Sequence, residues 1–156
     1  MLNIGQKIRD INFGLGCEDN FINYIKEEYN ILLNKRKHYE IIDFYNDTYE
    51  IELKSRSNRY YWGQYGDWSI GYNKLKEGYK QILNGKKCFL VFNLFTDKNK
   101  THRNYYVYEL TKERFENEDT FFKKEGGNYY RNDKTDLLAQ IKQDFLIPIN
   151  ECNYFI

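Results

Sequence analysis

The run Cys88-Phe-Leu-Val-Phe-Asn-Leu-Phe95 constrains this chain more than any other stretch. It is too short to cross a membrane and too continuously apolar for a strand with one wet face. It reads as a central strand covered on both sides, so the rest of the chain must supply apolar elements for two faces of a sheet. With 156 residues, 41% hydrophobic and 19% aromatic, the chain has material for one domain with a modest core.

The flanking segments alternate in period. Residues 18–33 carry Phe21, Ile22, Ile25, Tyr29, Leu32 and Leu33 at helical spacing. Glu18, Asp19 and Asn20 suit a helix N-terminus, and Gly14 and Gly16 favour a turn just before it. HYEIIDFY and TYEIELKSR are strand-like and meet at Asn46-Asp47, a turn pair that makes them a hairpin. Residues 55–72, rich in Tyr, Gly and Ser, have no clear period. NKLKEGYKQILN, residues 73–84, reads as a short helix closed by Gly85. HRNYYVYELT reads as a strand toward a sheet edge. Further on, Gly126-Gly127 reads as a turn, and KTDLLAQIKQDFL as a helix with Leu137, Leu138, Ile141 and Phe145 inward. The order predicts an α/β (α+β) fold, a mixed sheet flanked by helices in a single domain. Its core spans about 14–110, with a C-terminal elaboration over 111–156.

Bulk chemistry excludes several functions. A formal net charge of +1 provides no general field toward nucleic acid or anionic membrane, so any polyanion contact must be local. Cys17, Cys88 and Cys152 have no metal-ligand or disulfide spacing and are expected to be reduced thiols. MLNIGQKIRD lacks a charged-then-apolar signal, and a soluble cytoplasmic protein is expected.

One stretch carries candidate chemistry. In TYEIELKSR, Tyr49, Ile51 and Leu53 point to one side and Glu50, Glu52 and Lys54 to the other. Amphipathicity alone accounts for such a strand. Yet Glu52-Leu53-Lys54 is the single acid-x-Lys triplet in the chain, and it follows an Asp-bearing strand and precedes a helix and the apolar run.

On GLGCEDNFINYI, IIDFYNDTYEIELKSR and KLKEGYKQILNGKKCFLVFNLF, the chain resembles the PD-(D/E)XK nuclease superfamily, restriction-endonuclease-like and resolvase-like, over roughly residues 14–96. The resemblance implies an αβββαβ core in which Asp43 matches the metal-binding Asp, Glu52 the acid of the ExK pair and Lys54 its lysine. Glu18 matches a glutamate that many members place on the first helix, and Gln81 a polar residue on the second. Ile42 stands where the name-giving Pro would be, and Asp47 and Glu50 are alternative acids. Asp43, Glu52 and the Leu53 carbonyl would then bind Mg2+, with Mn2+ as a substitute, because hard cations prefer carboxylate, carbonyl and water oxygens. Lys54 would assist the attacking water and the charged transition state.

Arg56, Arg59 and Tyr61 lie just downstream, where they would contact phosphates and stack a base, or alternatively belong to a loop packed on the core. Lys35, Arg36, Lys37 and His38 form a small basic run, most simply a solvated connection. The resulting expectation is a Mg2+-dependent endodeoxyribonuclease, a homodimer if it cuts both strands. An RNA-directed nuclease, or a non-catalytic nucleic-acid-binding or protein-interaction module on the same fold, are the alternatives.

Overall fold

In the computed structural model, which describes residues 4–37, 40–56, 60–128 and 133–155, a long first helix, α1 (Ile4–Tyr29), leads into β1 (Asn34–Lys35), β2 (Phe44–Tyr45) and β3 (Tyr49–Ser55). There follow β4 (Asp67–Gly71), α2 (Tyr72–Leu83), β5 (Lys87–Phe95), β6 (Arg103–Leu110) and α3 (Lys112–Asn117). The chain ends with β7 (Phe121–Asn128), β8 (Asp133–Lys142) and β9 (Ile147–Pro148). The main sheet has the order β1-β2-β3-β5-β6-β9, and a second sheet the order β4-β8-β7. Strands β1, β2 and β3 are antiparallel neighbours, whereas β5 lies parallel to β3 after the crossover through β4 and α2.

The apolar run is the centre of the main sheet, with Cys88 to Leu94 buried throughout. Its odd residues Phe89 and Val91, with Ile51, Leu53 and Val107, pack under α1 through Phe21 and Ile25. Its even residues Cys88, Leu90, Phe92 and Leu94 face α2 and the second sheet, meeting Leu75, Trp68, Ile70, Phe121, Ala139 and Ile141. Three layers result, as two-sided burial of β5 requires.

Several expectations need correction. Helix α1 begins at Ile4, so Gly14 and Gly16 lie inside it rather than in a turn, and Glu18 and Asp19 are in its body. Its end is marked by Asn30, whose φ of 55° and N–H bond to the Lys26 carbonyl form a left-handed cap. Among the described residues of HYEIIDFY, pairing is confined to Phe44 and Tyr45, with bends over residues 40–43. The helix expected over KTDLLAQIKQDFL is the strand β8 followed by a 3-10 turn, and Gly126 and Gly127 belong to β7. Residues 67–71, in the segment without clear period, form β4. Strand β6 does lie toward the sheet edge, bordered by the two-residue β9. The last third contributes to both cores: Phe121, Ala139, Ile141 and Leu146 enter one, Ile149 and Phe155 the other.

Candidate active site

Strand β2 is two residues long, and where it stops β3 continues. The register Phe44–Ile51 brings Asp43 opposite Glu52 at that point. Beyond it, this edge of β3 has no strand partner among the described residues, and buried backbone donors must be satisfied somehow. Side chains do this. Leu53 N–H donates to Asp43 Oδ2 at 3.0 Å, and Asp43 N–H donates to Glu52 Oε1 at 3.2 Å. Each carboxylate is thus fixed by the other residue's stretch of backbone. A strand residue's N–H and C=O point to the same edge, so the Leu53 carbonyl faces this site as well.

Two further elements close in. From α1, Glu18 shares a hydrogen bond with Asp43 and makes a 3.2 Å ion pair with Lys35 of β1. From the first turn of α2, Lys74 Nζ lies 3.3 Å from Glu52 Oε2 and donates to the Ile41 carbonyl. Lys54, on the same face of β3 as Glu52, stands within electrostatic reach of Glu52, Asp43 and Lys74.

The electrostatics are those of crowded acids and bases. Burial, then the Asp43 charge, hold the Glu52 carboxyl well above the ordinary carboxylate range, against the pull of Lys74 and Lys54. Glu18 is raised for the same two reasons, with Lys35 opposing. Burial, then Arg56, lower the Lys54 ammonium, and Glu52 works against them. Perturbed acids and a perturbed lysine in one cluster are a common mark of functional sites.

The donors suit a hard divalent cation. Asp43, Glu52 and the Leu53 carbonyl offer only oxygen, and repulsion between the acids is what a cation would relieve. Among the described residues, no three His, Cys, Asp or Glu side chains form a ligand cage by themselves. Such a site provides two carboxylates and leaves the remaining positions to backbone and water, which matches the reluctance of Mg2+ to shed its waters.

Other expected residues are placed differently. Glu50, the alternative acid, is fully buried one step along β3 and is held by Arg36 and Lys86. Asp47 is exposed in the turn. Gln81 bonds Glu77 at 3.2 Å. It shares a helix face with Lys74 but lies about 10 Å further along the axis. Lys74, overlooked in the sequence, is the α2 side chain that meets the carboxylates. Its signal was its position on that same polar face, at the helix start. Arg56 donates to the Ser69 carbonyl at 2.5 Å, tying β3 to β4, and its Nε is buried without a partner. Tyr61 is half-buried, its backbone bridging to Phe95. Around it Trp62 stacks on Tyr106 at 4.4 Å and Tyr60 packs edge-on to Trp68, so much of this aromatic segment is core packing. Arg59 and His38 lie outside the described residues.

No protein-family model matches this chain, and no curated protein matches its sequence. No helix among the described residues is long and apolar enough to cross a membrane.

Proposed function

We propose that the protein is a divalent-metal-dependent nuclease of the PD-(D/E)XK type that hydrolyses phosphodiester bonds in DNA. The single observation that carries this reading is the convergence of Asp43, Glu52, Lys54 and Glu18 from three elements onto one end of β3. The sequence of one helix, three antiparallel strands, a crossover helix and a strand parallel to the third is consistent with the αβββαβ core. Strand β4 and the β4-β8-β7 sheet are additions to it.

In this reading Asp43, Glu52 and the Leu53 carbonyl hold Mg2+ or Mn2+. The bound ion supplies a lower pKa for water and charge neutralisation at the scissile phosphate. Lys54 orients the attacking water and stabilises the charge that develops on the phosphate. Glu18, bonded to Asp43, fixes the orientation of that carboxylate. A homodimer would place one site on each strand of a duplex. Ile4, Ile8 and Leu15, exposed along the first half of α1, provide an apolar surface for such pairing.

One observation favours the rival reading of a non-catalytic module. Glu52 is only 4% exposed and already has an ammonium on it, as a structural ion pair would. Supercoiled plasmid incubated with Mg2+, Mn2+ or EDTA decides between them. Metal-dependent cutting by wild type, lost in Lys54→Ala, is the expected result; binding without cutting by either protein establishes the module. Parallel RNA and single-stranded DNA substrates define the polymer.

A further inference from the structure

We propose that Lys74 is a built-in cation of this site, closing the Glu52–Ile41 oxygen pair while no divalent ion is present and turning to the substrate phosphate when one binds. The inference rests on the metal-dependent reading above.

The geometry is that of an ion held by hard oxygens. The Lys74 ammonium bridges Glu52 Oε2 and the backbone carbonyl of Ile41, two residues before Asp43. Glu52 Oε1 already accepts from the Asp43 N–H, so Oε2 is the freer oxygen for a metal, and Lys74 lies on it. A divalent ion at Glu52 and the ammonium therefore compete for one atom.

Local helix energetics say that Lys74 is placed for Glu52 and not for α2. It lies in the first turn, where the helix dipole disfavours a cation, and that turn holds no acid to compensate. The Lys74 side chain keeps contact with solvent, 23% exposed against 6% for Glu52, and lysine is a hydrated point charge on a flexible stem. It can leave without dismantling the core. Lys74 is already within electrostatic reach of Lys54, so once released both ammoniums would be available to an incoming phosphate. Lys74 is thus a gating and substrate-positioning residue, separate from the water-activating role given to Lys54.

The test measures Mn2+ binding to the full chain by electron paramagnetic resonance, without nucleic acid. Lys74→Gln, which keeps hydrogen-bonding capacity and loses the charge, should bind Mn2+ about tenfold more tightly than wild type, since one nearby positive charge is gone. The same variant should bind duplex DNA several-fold more weakly, whereas Lys74→Arg should bind Mn2+ no better than wild type. Equal or weaker Mn2+ binding by Lys74→Gln beside a wild type that binds overturns the inference and leaves the metal site standing. Absence of Mn2+ binding from both proteins removes the metal reading itself, and this inference with it. Should Lys74→Gln fail to fold, acetylation footprinting of wild type gives the answer: Lys74 must label faster in Mn2+ than in EDTA, and an unchanged rate refutes displacement.

Discussion

Glu50 and Glu52 sit on the same face of β3, two residues apart and both buried, yet their surroundings predict opposite responses to loss of charge. Glu50 is fully enclosed, with Arg36 Nη1 2.7 Å from Oε1, Arg36 Nη2 3.2 Å from Oε2 and Lys86 Nζ 3.0 Å from Oε2. The shortest of these is not aligned as a hydrogen bond, so Oε1 is held by charge alone. Arg36 also stacks on Tyr45 at 4.3 Å. One anion therefore anchors two cations and joins the segment before β2 to the start of β5. Removing one member of a buried pair costs about 3–5 kcal/mol. Here the cations retain some solvent, at 20% and 22% exposure, and Arg36 keeps Glu40 at 3.5 Å. The lower end, about 3 kcal/mol, is expected for Glu50→Gln, or a fall of about 6–12 °C in Tm for a chain of this size.

For Glu52 the sign reverses. Its folded pKa is raised, so the carboxyl binds its proton more tightly in the fold than in the unfolded chain. Its contribution favours folding below the ordinary carboxylate pKa and is lost as pH rises through the raised value. Without metal and above the ordinary carboxylate range, the fold disfavours the charged form, and Glu52→Gln should leave stability unchanged or raise it by about 1 kcal/mol. Urea unfolding in EDTA measures both variants, and Mn2+ binding then separates them: Glu50→Gln keeps it and Glu52→Gln loses it. A folded Glu50→Gln within about 0.5 kcal/mol of wild type would sink the assignment, as would loss of its Mn2+ binding. So would a Glu52→Gln variant destabilised as much as Glu50→Gln.

Two other substitutions probe the frame around the site. A Cβ on Gly78 would lie 2.6 Å from Cys88 Sγ and 3.1 Å from Leu110 Cδ2, so Gly78→Ala should cost about 1–3 kcal/mol in urea melts, with Cys88→Ala recovering part of it. Arg56→Met removes the link from β3 to the Ser69 carbonyl and should cost about 1–3 kcal/mol, with DNA affinity by fluorescence anisotropy changed less than twofold.

What the sequence revealed and what it hid follow from how local each signal is. The alternation of β3 and the helical period of α2 are set within seven to twelve residues, and the structure places the bounds of both elements within a residue of expectation, although Leu83 at the end of the α2 stripe is exposed. Strand β8 was misread because Leu137, Leu138, Ile141 and Phe145 also fit a helical stripe. Its actual state is decided by β4 and β7, which flank it and take Ala139 and Ile141 into the core. Strand β4 hides its two-residue alternation, Trp68 and Ile70 inward, within a stretch too short to register. For the site, Asp43, Glu52 and Lys54 were legible because they lie on one hairpin. Lys74 comes from a crossover helix, and only the packing of α2 over β3 brings it to Glu52.

That packing bears on how a metal and a nucleic acid would bind. The cluster contains the acids Glu18, Asp19, Asp43 and Glu52 and the cations Lys35, Lys54, Arg56 and Lys74, so without metal its formal charges cancel. Asp43 also serves β3 in its own right, satisfying the Leu53 N–H whether or not an ion is present. Balance is the more informative property. A divalent ion alone would leave the site with two excess positive charges, which a partly buried cluster disfavours. A phosphodiester arriving with it would, on the nuclease reading, bring negative charge to the neighbourhood of Lys54 and Lys74. On the nuclease reading, metal and substrate therefore bind with positive coupling, each making the other's charge acceptable. Mn2+ affinity measured with an uncleavable phosphorothioate duplex should exceed that of the free protein, and an unchanged affinity would show that the lysines do not read phosphate.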